Sequence, residues 1–134
     1  MALQYSVNVR NAQLDAVETT TGTTPRIQLY TGTPPANCAA SATGTLLATI
    51  VLPSDWMNAA ATGTKTLLGS WVGSATVAGT AGYFRIMNSG LSVCHVQGTV
   101  TATGGGGDMT IDNPVLSVNQ GIAVTSFTLN AGNA

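Results

Sequence analysis

Few residues of this 134-residue chain carry side chains able to do chemistry: a single histidine, His95, two cysteines, Cys38 and Cys94, and five carboxylates. His95 stands next to Cys94 in a segment that reads as a β-strand. Neighbouring strand residues point to opposite faces, so these two cannot form a nucleophile–base pair with each other. Cys38 reaches His95 only through tertiary contact, and a structural histidine is the expected role. Asp108 and Asp112 project from the same face of their strand roughly 13–14 Å apart, beyond the ~6.5–9.5 Å of an inverting glycosidase pair. They read as solvated charges. With the neighbouring glycines and Asn113 they offer calcium hard oxygen ligands, but their spacing fits no EF-hand loop. Gly104, Gly105, Gly106 and Gly107 lack the lysine of a phosphate-binding loop and feed a strand, so a flexible hairpin tip is predicted. No catalytic residue, cofactor site or metal ligand follows, and the chain reads as a non-enzyme without a small-molecule substrate.

Cys38 and Cys94 fall in neither a CxxC nor a zinc spacing. They are read as buried free thiols or as a disulfide closed after release into an oxidising medium. Charged residues make up 7% of the chain, against ~25% in ordinary soluble domains. Four scattered basic residues, Arg10, Arg26, Lys65 and Arg85, cannot neutralise the several phosphates on which nucleic-acid affinity rests. A net charge of -1 favours association, so the surface suits a subunit docked in an assembly, with a homo-oligomer expected. The start of the chain shows no signal peptide, and no apolar run approaches the ~18 residues of a membrane span. The expectation is a protein made in the cytoplasm with no membrane partner. Trp56 lies in the turn-like segment Pro53-Ser54-Asp55-Trp56-Met57-Asn58, where it serves either the core or as an anchor against another subunit. Met57 beside it and Tyr5 near the N-terminus complete the candidate interface.

These residues must be positioned by two kinds of element. Leu3, Val7, Leu14 and Val17, with Ala12 and Ala16 between them, recur near the helical period and predict a helix over 3–18. It is expected to stop at the run from Thr19 to Pro25. From there onward, runs rich in Val, Ile, Leu, Thr and aromatics alternate with Gly, Pro and Asn clusters. They predict strands over 26–31, 45–52, 66–72, 81–87, 92–103, 108–116 and 122–129, with Gly98 marking a bulge. About seven strands without a second helix indicate an antiparallel β-sandwich or jelly roll. A single domain results, with a helix and Thr/Gly hinge over 1–24 and a β-sandwich over 25–134. Its predicted core is Ile27, Leu29, Leu47, Ile50, Leu67, Phe84, Ile86, Val96, Met109, Ile111, Phe127 and Leu129. Whether the helix packs on its own sheet or reaches a neighbour stays open.

The order of Tyr5-Ser6-Val7-Asn8-Val9-Arg10-Asn11-Ala12-Gln13-Leu14-Asp15, then Ile27-Gln28-Leu29-Tyr30-Thr31-Gly32-Thr33-Pro34-Pro35-Ala36-Asn37, then Gly79-Thr80-Ala81-Gly82-Tyr83-Phe84-Arg85-Ile86 and Gln97-Gly98-Thr99-Val100 resembles small virion structural proteins of tailed bacteriophages. The resemblance spans nearly the whole chain, and its motifs are structural. It implies a capsid decoration (cement) protein on the virion surface, with the phage major capsid protein as partner. The alternative is a tail or fibre accessory module binding a host-surface glycan.

Overall fold

Ser6 begins the helix: its hydroxyl accepts the backbone N–H of Val9 at 3.3 Å, and α1 runs over Val7–Thr21. In this computed structural model, which describes residues 3–134, the helix passes through the threonines expected to end it. The hydroxyls of Thr19 and Thr21 bond back to the carbonyls of Asp15 and Val17, four residues earlier, a local bond that lets threonine sit in a last turn. Gly22 then stops the helix at φ 91°, a backbone setting that glycine adopts without strain.

The face on which α1 docks differs from the one its apolar spacing suggests. Leu3, Val7 and Val9 are exposed, and of the helix only Leu14 and Thr21 are buried. A polar stripe faces inward instead. Asn11 accepts the N–H of Gly63, Asp15 that of Ala60, Glu18 that of Met57, and the Gly22 carbonyl accepts the indole N–H of Trp56. These positions recur every three or four residues and therefore line one side of the helix. At the centre lies Lys65, whose side chain is 1% exposed. Its Nζ is 2.7 Å from Asp15 Oδ1, 3.2 Å from Glu18 Oε1 and 2.9 Å from the Asn58 carbonyl. The helix thus packs on its own chain.

The strands are β1 Arg26–Tyr30, β2 Leu46–Val51, β3 Thr64–Thr66, β4 Val72–Ser74, β5 Gly79–Thr80, β6 Tyr83–Met87, β7 Cys94–Ala102, β8 Met109–Ile111, β9 Val115–Leu116 and β10 Gly121–Asn130. Eight form one sheet in the order β2-β1-β6-β7-β8-β10-β3, with β4 also on β10, while β5 and β9 pair separately. Two predicted strands are each split. Gly69, at φ 76°, separates β3 from β4, which join opposite ends of β10. Pro114, which lacks a donor for a ladder, lies between β8 and β9.

The sheet is mixed, which corrects the antiparallel expectation: β7 and β8 run parallel, with Val100 opposite Met109 and Ala102 opposite Ile111. A parallel connection ordinarily needs a dozen or more residues, whereas here residues 103–108 fold straight back along β7. The glycine run makes this reversal, so it is no hairpin tip. Gly104 and Gly106 both take φ 83°, and a Cβ on Gly105 or Gly107 would lie 2.7–2.9 Å from Thr101 atoms. Asp108 closes the return by accepting the N–H and hydroxyl of Thr99. Gly98 pairs regularly with Phe84, and the register shift falls instead at His95, between the Ile86–Val96 and Met87–Cys94 pairs.

Nine of the twelve predicted core residues are buried, and Leu67, Val96 and Leu129 pack partly buried against them. The core also takes in Trp56 and Trp71, which continue through Phe127 to Phe84 with ring centroids 5.5–5.9 Å apart.

The Lys65 cluster generates a prediction with a definite order of effects. Its carboxylates are 48% and 24% exposed, so they can be rehydrated when the lysine is removed, whereas the ammonium has no route to water. Asp15→Asn with Glu18→Gln, which strands that charge, is expected to cost ~3–5 kcal/mol, and Lys65→Met less, in urea titrations at pH 7. The Lys65 ammonium and the Ala60 N–H hold the Asp15 carboxyl below its ordinary 3.8. Burial alone would lower the Lys65 pKa, but its bonds to Asp15 and Glu18 outweigh this and leave it above 10.5. The cluster's contribution is therefore present between these values. It is lost as pH falls below 3.8 through the lowered Asp15 pKa, and as pH rises beyond 10.5 through the raised Lys65 pKa.

Candidate docking surface and cysteine face

The candidate interface residues separate in the structure. Trp56 and Met57 are buried, so they are core residues and not surface anchors. The Trp56 indole donates to the helix end at Gly22, and its carbonyl accepts the indole N–H of Trp71. Of the two roles open to Trp56, the core one is what the structure shows, because α1 lies over its turn-like segment and covers it. Tyr5 is half-buried and tied to the C-terminal segment, its N–H donating to the Asn133 carbonyl at 2.6 Å.

The outer face of β1, β6 and β7 carries the polar half of the alternation. Tyr30 stacks on Tyr83 with centroids 5.1 Å apart, and Arg85 and Gln97 follow along the register. Residues 31–45 cover this face through three anchors. Gln97 Nε2 donates to the Pro35 carbonyl, Arg85 Nη2 to the Cys38 carbonyl, and the Tyr83 hydroxyl both donates to and accepts from the Thr43 backbone. This cover buries Tyr83 and Arg85, whereas alternation alone gives them to solvent. Under it Cys38 and Cys94, both half-buried and free, share one face: Arg85 holds the Cys38 carbonyl, and Cys94 lies opposite Met87, which is on the Arg85 side of β6. Burial pushes the Cys38 thiol up, and the adjoining Cys94 sulfur adds to the effect.

His95 is directed elsewhere. It borders a hollow beneath the helix with Gln13, Val17 and Thr20, away from the cysteine face. Asp108 and Asp112 also part company, because β8 lies between β7 and β10 and they serve opposite neighbours: Asp108 binds Thr99 on β7, and Asp112 accepts the Ala123 N–H on β10. Among the described residues, no three of His, Cys, Asp and Glu gather as a metal site, and no helix is long and apolar enough to cross a membrane.

The surface feature that sequence reasoning missed lies where the sheet curls back on itself. β4 comes beside β2: the N–H groups of Thr76 and Val77 donate to the Leu47 carbonyl, and the Cβ position of Gly73 lies 2.8 Å from Ile50 Cγ1. These contacts bring Val51 and Val72, and Leu46 and Val77, to one seam between the two strands. Ile50 and Gly73 face inward, so Val51 and Val72 face out, 52% and 56% exposed, while Leu46 and Val77 are 37% and 40% exposed. The result is an outward aliphatic patch of Leu46, Val51, Val72 and Val77, bordered by Arg26 across from Val51. Alternation in β2 is legible in the sequence. That β4 would lie across from it is not, because the contact joins segments on either side of the β3 excursion.

The core role of Trp56 has a direct test. Trp56→Ala is expected to cost ~3–5 kcal/mol of folding stability, measured by urea denaturation of the isolated chain. An interface anchor would leave that stability unchanged and weaken only association. The chain matches no protein-family model, no curated protein and no solved structure.

Proposed function

We propose that this chain is a non-enzymatic virion protein that docks on the outside of a phage capsid shell and stabilises it, as a decoration or cement protein. In this reading the curled sheet acts as a sandwich-like or jelly-roll module, the chain works as a homo-oligomer, and the major capsid protein is its partner. Nucleic acid, membrane and small molecules play no part.

The observation that carries the reading is the exposed aliphatic patch of Leu46, Val51, Val72 and Val77. Contiguous exposed aliphatic surface on a soluble domain marks an interaction site, and the rest of the chain offers little electrostatic alternative. Lys65 is consumed by Asp15 and Glu18, and Arg85 by the Cys38 carbonyl. Docking of this kind works through buried area repeated at symmetric sites. It is also tolerant of salt, since only charge–charge terms are screened over the ~8–10 Å Debye length.

One cavity favours the second reading, a glycan-binding tail module. The wedge between β7 and β10 encloses about 440 Å³ and is lined by Gln97, Asp108, Ser126 and Thr128 beside Phe84 and Phe127. Its polar groups suit a sugar. However, both rings are buried and packed edge to face at 5.6 Å, which leaves no open ring face for a pyranose to stack on.

In purified particles encoding this chain, the copy number is expected near one per capsid subunit or a simple fraction of it, measured by quantitative gel. A handful of copies per particle would transfer the protein to the tail, and its absence would overturn both readings. Val51→Thr with Val72→Lys, on solvent-facing positions, is expected to leave the melting temperature of the free chain nearly unchanged and sharply reduce co-sedimentation with shells. The unaltered chain is expected to stay bound in raised salt at neutral pH, and its release there would count against the aliphatic patch.

A further inference from the structure

We propose that Cys38 and Cys94 are a disulfide-forming pair whose closure pins residues 31–45 to β7. The two residues are distant in sequence and reach each other through independent constraints. Cys94 is placed by the β6–β7 ladder, opposite Met87 and next to the register shift at His95. Cys38 is placed by a turn in which Asn37 Oδ1 accepts the N–H groups of Ala39 and Ala40, both at 3.0 Å. The anchors on Pro35, Cys38 and Thr43 then hold this turn on the sheet. Arg85 holds the Cys38 carbonyl, and Cys94 lies opposite Met87 on the same face as Arg85, so both free cysteines share the covered face and bond formation needs no refolding of either segment. With two cysteines in the chain, no third thiol competes within a molecule.

The reaction needs an oxidant, and a low-molecular-weight disulfide such as oxidised glutathione supplies it. One cysteine thiolate attacks the glutathione disulfide, forming a mixed disulfide and expelling one glutathione thiolate, which takes up the proton that the cysteine released. The second cysteine thiolate then attacks the protein sulfur of the mixed disulfide. The Cys38–Cys94 bond forms, and the second glutathione leaves and is protonated. Two cysteine thiols are oxidised and one glutathione disulfide is reduced to two thiols. The neighbouring sulfur resolves the mixed disulfide intramolecularly, at an effective concentration far above that of any second chain. Burial raises the Cys38 thiol, which slows attack from that sulfur. The redox poise of the surroundings decides the equilibrium, so the pair stays reduced in a reducing compartment and closes in an oxidising one.

The inference depends on the fold alone and holds whichever surface the protein binds. To test it, the folded full chain is incubated with oxidised glutathione, and its intact mass, non-reducing peptide map and melting temperature are recorded. The expected product is a monomer lighter by two hydrogen atoms, with a cross-linked peptide pair containing Cys38 and Cys94. Its melting temperature is expected to rise by about 10 °C, reversibly with dithiothreitol. Cys38→Ser and Cys94→Ser are each expected to stop at a glutathione adduct without that gain. Should either variant fail to fold, the peptide map of the unaltered chain still decides. Stable adducts on both sulfurs, cross-linked dimers, or two thiols left free after full exposure would each overturn the proposal.

Discussion

A buried ammonium group is the constraint on which the helix, the 57–65 segment and the far end of the sheet depend. Lys65 belongs to β3, an edge strand of three residues that holds β10 by its last turn of register. With α1 in place but its carboxylates neutralised, the Nζ would be a buried charge without an ionic partner, a cost of several kcal/mol. Asp15 and Glu18 remove that cost from one side of the helix, and the same carboxylates accept the N–H groups of Ala60 and Met57. One cluster therefore fixes the helix, orders a segment with little regular structure and seats Trp56 beneath the helix end. The apolar side of α1 is left in water, the reverse of the usual amphipathic arrangement.

A second constraint is steric. Bringing β8 parallel to β7 with six residues between them requires backbone to run against the β7 edge where any Cβ would collide with Thr101. Gly105 and Gly107 meet that requirement, while Gly104 and Gly106 supply the left-handed backbone at φ 83°. They also place Asp108 over the end of the ladder, where it satisfies Thr99 on an edge that β8 does not reach. The wedge between β7 and β10 is the consequence, since β8 is too short to fill the space between its longer neighbours.

These two constraints also account for the surface. Most groups that sequence alone would assign to solvent or to function are used internally: Lys65 by the helix, Arg85 and Tyr83 by residues 31–45, the indoles by backbone carbonyls. What remains outside is largely hydroxyl, amide and aliphatic. On such a surface the exposed aliphatic residues Leu46, Val51, Val72 and Val77 stand out, with Arg26 beside Val51 as the charge that borders them, and this makes contact area the main basis of the proposed docking.

The sequence by itself determined the element types and most of the core. Strand alternation identified Ile27, Leu29, Phe84, Ile86, Met109, Ile111 and Phe127 as inward residues, because a period of two follows from local geometry and needs no knowledge of neighbours. It also showed that the sparse ionisable residues form no recognisable catalytic spacing. Tertiary structure decided what lies over each face. Trp56 became core because α1 covers its turn; Tyr83 and Arg85 became buried because residues 31–45 fold over them; Cys38 met Cys94 because a turn and a ladder converge. The direction of β8 and the β2–β4 seam were decided there as well. Each depends on contacts between segments far apart in the chain, and periodicity, which reports only which side of its own backbone a residue occupies, carries no information about what that side will meet.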